Sequence, residues 1–240
     1  MQADDRLIVA LDFPTFVEAE RVVKELGETV TYYKVGMELF YAAGPAVIKL
    51  LKEKQKHVFL DLKLQDIPNT VAKSLVVLTN LGVDIMNVHA VGGRKMLEEA
   101  AKAVHAAAAS SGRSAPKLIA VTVLTSMDEK QWSELNYTKP IGEEVIELAK
   151  LAQAAGLDGV VASPREAAGI RKACGKDFLI VTPGVRPAGA AANDQSRIAT
   201  PSGALQNGAT HLVVGRPITQ AENKLAAVQS ILKEMEGAGK

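Results

Sequence analysis

Short apolar runs rich in β-branched residues recur along the chain, and each gives way to a polar residue and then to a segment whose apolar positions repeat with helical spacing. The first run, Leu7-Ile8-Val9-Ala10-Leu11, ends at Asp12. Helical spacing follows from Phe16 to Leu26, and Gly27 stands where a helix C-terminus favours glycine. Thr31 to Gly36 is the second strand. A helix is predicted over about residues 45–56, with Lys49, Lys52, Glu53, Lys54 and Lys56 on a solvated face. His57-Val58-Phe59-Leu60 opens a third strand, and Val71, Leu75 and Leu78 mark a helix from Thr70 to Leu81. A glycine followed by a brief apolar strand then recurs at Gly82, Gly156 and Gly208. Leu118 to Thr122 and Phe178 to Val181 bring the strands to eight, most of them separated by helices in units of about 30 residues, as βαβ units require. The pattern predicts an α/β protein built as a single (β/α)8 TIM barrel, ahead of a doubly wound open sheet.

Length and composition narrow the picture. A chain of 240 residues, 48% of them hydrophobic, is enough for one substantial core, so residues 1–240 are expected to form one domain. The net charge of +1 gives no broad electrostatic footprint for nucleic acid or an anionic membrane surface, and any anionic ligand must be held by local groups. Cys174 is the single cysteine, which excludes an internal disulfide and a thiolate metal cluster and fits a reducing compartment. The acidic N-terminus and its short apolar run do not make a secretory signal, and no apolar stretch approaches the roughly 20 residues that span a bilayer. A cytoplasmic protein is expected.

The candidate chemistry centres on Asp61-Leu62-Lys63-Leu64-Gln65-Asp66-Ile67-Pro68, which sets charges where a strand leaves an apolar core. Period 2 sends Asp61 and Lys63 to one face, and Asp66 precedes Pro68, a residue suited to a helix's first turn. The plain alternative is a surface ion pair beside a helix cap, worth about 0–1 kcal/mol. Leu60, Leu62 and Leu64 alternate with the charges, however, and a charge on a buried element demands partners. In a barrel the C-terminal strand ends carry the active site. Asp12, Lys34, Asp61 and Lys63 all end strands, Thr125-Ser126 follows the fifth and Gly215-Arg216 the eighth. Gly215, Arg216 and Pro217 together have the chemistry of a phosphate site at a helix start. The Gly-, Ala- and Pro-rich segment of about residues 183–200, carrying Arg186 and Gln195, reads as a mobile lid. Of the four histidines only His89 falls near this rim, where a hydrogen-bonded structural role is favoured, and no histidine pair has metal-site spacing.

Together these residues resemble the orotidine 5′-phosphate decarboxylase family almost end to end. The likeness rests on Leu11-Asp12-Phe13, Lys34-Val35-Gly36, the run from Asp61 to Pro68, Leu124-Thr125-Ser126, Thr182-Pro183-Gly184-Val185-Arg186, Asp194-Gln195 and Val214-Gly215-Arg216. It implies conversion of orotidine 5′-monophosphate to uridine 5′-monophosphate and carbon dioxide in pyrimidine (UMP) biosynthesis, with no cofactor and no metal. Lys63 would be the general acid that protonates C6, and Asp61 would lie beside the substrate carboxylate. Asp66, Ile67 and Thr70 would reach into the neighbouring subunit's site of a homodimer. Asp12 and Lys34 would serve the ribose and the charge network, Thr125 and Ser126 the pyrimidine, Gln195 both base and phosphate, and Gly215 and Arg216 the phosphate. Arg186 would be a further ligand-binding position.

Two other readings compete. Barrels of the hexulose-phosphate synthase or ketogulonate-phosphate decarboxylase type share Asp-x-Lys-x-x-Asp but use magnesium and carry Glu where the second strand ends; Lys34 at that place would repel a divalent cation. A catalytically silent nucleotide-binding or scaffold barrel would have to keep a buried charge network without using it, at a cost in desolvation.

Overall fold

The computed structural model describes residues 3–187 and 199–238. In chain order the elements are β1 (Leu7–Ala10), α1 (Phe16–Leu26), β2 (Tyr32–Gly36), α2 (Met37–Ala43), α3 (Pro45–Glu53), β3 (His57–Leu64), α4 (Pro68–Thr79), β4 (Ile85–His89), α5 (Arg94–Ser110) and β5 (Lys117–Val121). The second half continues with α6 (Glu129–Glu134), α7 (Ile141–Ala154), β6 (Gly159–Val161), α8 (Ala167–Cys174), β7 (Leu179–Thr182), α9 (Pro201–Gln206), β8 (His211–Val214), α10 (Arg216–Thr219) and α11 (Lys224–Met235). Each strand pairs in parallel with the next, and β8 closes on β1 through Leu7↔Leu212 and Val9↔Val214. The result is the predicted (β/α)8 barrel; the open doubly wound sheet is excluded by the closure.

The sheet separates two apolar clusters. Ile8, Ala10, Tyr32, Phe59, Ile85, Ile119, Val181 and Val213 fill the barrel, while alternate positions such as Val9, Tyr33, Leu60 and Leu212 pack outward against the helices. Period 2 then dictates what stands above the plug: Lys34 is two residues beyond Tyr32, Asp61 two beyond Phe59, and Asn87 two beyond Ile85. A Cβ on Gly159 would collide with the Leu179 backbone, so glycine lets β6 and β7 approach.

At the opposite end a repeated device starts the strands. Gly82, Gly156 and Gly208, all at positive φ, reverse the chain two residues before Asp84, Asp158 and Thr210. Those side chains accept the backbone N–H of Val58 at 2.8 Å, Leu118 at 2.9 Å and Ile180 at 3.0 Å on the neighbouring strand. Donors that the ladder leaves over are thereby satisfied.

Three local expectations change. The predicted helix over about 45–56 stops at Glu53, because Gln55 takes a positive φ of 55°. Lys56 therefore leaves the solvated face: it is buried and donates to Gly27 O at 2.9 Å and to Glu28. Lys52 also leaves it, pairing with Asp84 at 2.8 Å. The helix expected from Thr70 begins at Pro68 and ends at Thr79.

Candidate active site

The C-terminal end of the barrel opens into a cavity of about 460 Å3, floored by Ala10, Phe59, Val121, Val161 and Val213 and rimmed by polar side chains. That volume suits a small organic molecule. One side carries an alternating row of charges. Asp12 Oδ1 lies 2.9 Å from Lys34 Nζ, Lys34 Nζ lies 3.3 Å from Asp61 Oδ2, and Asp61 Oδ1 lies 2.7 Å from Lys63 Nζ. The two middle groups are buried, whereas Asp12 is open to solvent and Lys63 partly so. Burial pushes the Asp61 carboxyl up, but Lys34, Lys63 and Asn87 outweigh it and hold the group below its ordinary value. Burial likewise pulls the Lys34 ammonium down, and Asp61 and Asp12 more than restore it, leaving it raised. Both groups are thus charged at neutral pH.

The Asp61–Lys63 contact does not come from simple strand alternation. Pairing between β3 and β4 advances from Leu60↔Met86 to Leu64↔Val88, so β3 bulges between these points, and Lys63 sits at φ 52° in the left-handed region. Such a backbone costs about 1–3 kcal/mol in a non-glycine residue and persists only where neighbours over-determine it. Here Asn87 Oδ1 accepts the Lys63 N–H at 2.8 Å, and Asn87 Nδ2 donates to Asp61 Oδ1 at 2.6 Å. Gly36 makes room for the row: a Cβ there would lie 3.0 Å from Lys34 Nζ and 3.1 Å from Asp12 Oδ1.

Thr125, Arg186, Gly215, Arg216 and Gln220 also line the cavity, Gly215 beside Asp12. Gly215 precedes α10 and Pro217 lies in its first turn, as the phosphate-site pattern predicts. Arg186 is buried at the base of the 183–200 segment, where its backbone N–H donates to Ala199 O at 2.9 Å. Gln195 and residues 188–198 of the expected lid lie outside the described residues.

Not every expected site residue is drawn in. Ser126 is exposed and does not line the cavity. Asp66, Ile67 and Thr70 are exposed at the start of α4, outside the charge row; Asp66 Oδ1 accepts the N–H of Ile67 at 2.7 Å. His89 ends β4 and is half-buried. Burial and the nearby Lys63 lower its pKa, against Asp61. Among the described residues no group of three or more His, Cys, Asp or Glu converges as a metal would require. No role was expected for Asn87 or Gln220, and Gly36 entered only as part of the Lys34-Val35-Gly36 motif. Only Asn87 left a usable signal, as the polar residue inside the apolar run Ile85-Met86-Asn87-Val88.

Comparison with known proteins places this geometry. Residues 5–231 match the model of the orotidine 5′-phosphate decarboxylase / HUMPS family. An orotidine 5′-phosphate decarboxylase of Moorella thermoacetica is 52% identical over 237 residues, covering 98% of this chain and 94% of the relative. One from Halorhodospira halophila is 53% identical over 234 residues, covering 98% and 97%. The crystal structure of the orotidine 5′-phosphate decarboxylase from Lactobacillus acidophilus superposes with a TM-score of 0.86 at 42% identity, covering 97% of this chain and 100% of that one. On a family match that spans nearly the whole chain, and on relatives about half identical to it from end to end, this protein belongs to the orotidine 5′-phosphate decarboxylase / HUMPS family.

Proposed function

We propose that this chain decarboxylates orotidine 5′-monophosphate to uridine 5′-monophosphate and carbon dioxide, a step of pyrimidine biosynthesis, with Lys63 as proton donor to C6 and without a cofactor. The observation that carries this reading is the row Asp12–Lys34–Asp61–Lys63, its middle pair buried, at the mouth of the cavity. When the bond between C6 and the carboxylate carbon breaks, carbon dioxide leaves and the electron pair stays at C6 in the ring plane, where the π system cannot absorb it. A fixed ammonium is what such a centre needs. Lys63 is held beside Asp61 and stabilises the developing carbanion; it then gives C6 a proton from Nζ and regains one from solvent. Asp61, kept ionised by Lys34 and Lys63, holds the Lys63 ammonium in place at 2.7 Å and would stand beside the substrate carboxylate. Repulsion between the two carboxylates is a secondary contribution.

The rest of the cavity is assigned by the same logic. Asp12 and Lys34 face the ribose, Thr125 the pyrimidine, with Ser126 left outside the lining, and Gly215, Arg216 and Gln195 the phosphate, with Arg186 at the base of a lid over about residues 183–200. The active form is a cytoplasmic homodimer in which Asp66, Ile67 and Thr70 enter the partner's site. Support comes from their exposure away from their own cavity and from large apolar side chains left open on the elements that follow β2 and β3: Tyr41 at 73%, Ile67 at 66% and Val77 at 64% exposed. Apolar side chains of this size and exposure are what an interface between copies would cover. The magnesium-dependent branch of the family is disfavoured by Lys34, whose ammonium occupies the position between Asp12 and Asp61.

The test is to follow the ultraviolet spectrum of orotidine 5′-monophosphate on adding the purified protein with excess chelator. Conversion to uridine 5′-monophosphate at an undiminished rate is expected. Conversion that stops with chelator would favour the metal-dependent reading, and none under any condition would favour a silent barrel.

A further inference from the structure

Asn87 is 1% exposed, inside a strand that is otherwise apolar up to His89, and both ends of its side chain are used. Its orientation is dictated by chemistry. The Lys63 N–H can only donate, so the carboxamide must turn Oδ1 towards it, and Nδ2 then meets an Asp61 carboxylate that can only accept. Asp61 Oδ1 consequently takes two donors, Asn87 Nδ2 at 2.6 Å and Lys63 Nζ at 2.7 Å, while Oδ2 faces Lys34 at 3.3 Å. One rigid amide from β4 therefore fixes the left-handed backbone of Lys63 and the rotation of the carboxylate that its ammonium rests on.

We propose that Asn87 is a positioning residue for Lys63, setting the place of its ammonium at the reacting carbon without touching substrate. This deepens the proposed decarboxylation and rests on it. With the amide gone, nothing in β4 holds the Lys63 N–H or stops Asp61 from turning, and a displacement of about an ångström at a reacting group costs on the order of 100-fold in rate.

Two variants of nearly the same size test this. Asn87→Leu removes both hydrogen bonds. Asn87→Asp keeps the acceptor for Lys63 but sets a carboxyl against Asp61, and two carboxyls at that distance must share a proton, the form in which the missing donor returns. The charged groups around position 87 are Asp61 and Lys63 from β3, Lys34 from β2 behind Asp61, and His89 on its own strand; β5 opposite presents Ile119 and Val121. Relative to wild type at the same pH, kcat of Asn87→Asp is expected to fall about 100-fold at pH 8 and to recover at least about tenfold towards pH 5.5. Asn87→Leu should lose as much without recovery. Both should bind uridine 5′-monophosphate within about threefold of wild type. A role in packing alone would lower the melting temperature and leave kcat of the folded protein unchanged. Should Asn87→Leu not fold, the pH recovery of Asn87→Asp decides. The proposal is overturned by kcat within about threefold of wild type in Asn87→Asp at both pH values, or by equal losses of kcat and nucleotide affinity with no recovery. If the wild type itself does not convert orotidine 5′-monophosphate, the functional reading fails separately. Positioning is then judged by crystal structures of the variants: it stands if Lys63 leaves positive φ or its ion pair with Asp61 opens beyond 4 Å, and falls if both persist.

Discussion

Lys63 is held from three directions: its ammonium by Asp61, its N–H by Asn87, and its φ by the bulge in β3. Truncating it should remove the proton donor and the counter-charge at one stroke while leaving nucleotide contacts elsewhere in the cavity. Lys63→Ala is therefore expected to lower turnover of orotidine 5′-monophosphate by at least about 10,000-fold, the product of a lost general acid and a lost electrostatic stabiliser, with uridine 5′-monophosphate binding kept within about tenfold. Turnover within tenfold of wild type would remove Lys63 from the role assigned to it. At this scale the sequence was legible wherever a charge interrupts an apolar strand, and Asp12, Lys34, Asp61 and Lys63 do meet. The reason they meet was only half legible. Strand alternation puts Lys34 and Asp61 on the inner face, but Lys63 arrives by way of a bulge that depends on how β3 registers with β4, and no local pattern reports a register between strands.

The eight strands were readable because a buried parallel strand is a near-continuous apolar run, and because the glycines at 82, 156 and 208 mark the reversals before three of them. Helix ends were less so. The charged run to Lys56 continues a helical pattern in composition, yet Gln55 turns left-handed and delivers Lys56 into the barrel's underside. The short helices α2 and α6 were missed, since a turn or two carries too few positions for a period to show. The equally short α10 was legible only through its start, Gly215-Arg216-Pro217, and it bears on function, since Gly215 and Arg216 stand beside the cavity. If this element and the lid segment hold the phosphate, binding energy gained there is used to keep the reacting ring in place. Arg216→Ala and Gln195→Ala should each lower kcat/KM for the nucleotide by roughly 10- to 100-fold, the worth of a charge-assisted hydrogen bond, and leave the slow decarboxylation of orotidine without its phosphate within about threefold. Equal losses on both substrates would show that neither residue acts through the phosphate.

For the molecule as a whole, the barrel, its cavity and the row Asp12–Lys34–Asp61–Lys63 all come from one chain, and the proposed dimer would add a further charge, Asp66, from the second. Asp66, which the Asp-x-Lys-x-x-Asp motif ties to Lys63 in sequence, stands exposed at the head of α4. One chain's sequence cannot say which copy a residue serves, because that is a property of an interface; in the proposed dimer the open apolar side chains Tyr41, Ile67 and Val77 would be candidates for that interface. That each site works only with charges drawn from two chains is tested most directly by mixing two inactive variants, Lys63→Ala and Asp66→Asn, under conditions of demonstrated subunit exchange. A mixed dimer has one site with both residues intact and one site with both lesions. Random reassortment makes half the dimers mixed, so activity should return to roughly a quarter of wild type if the sites act independently. A mixture as inactive as its parents would mean that Asp66 serves its own chain's site, and would contradict the shared site.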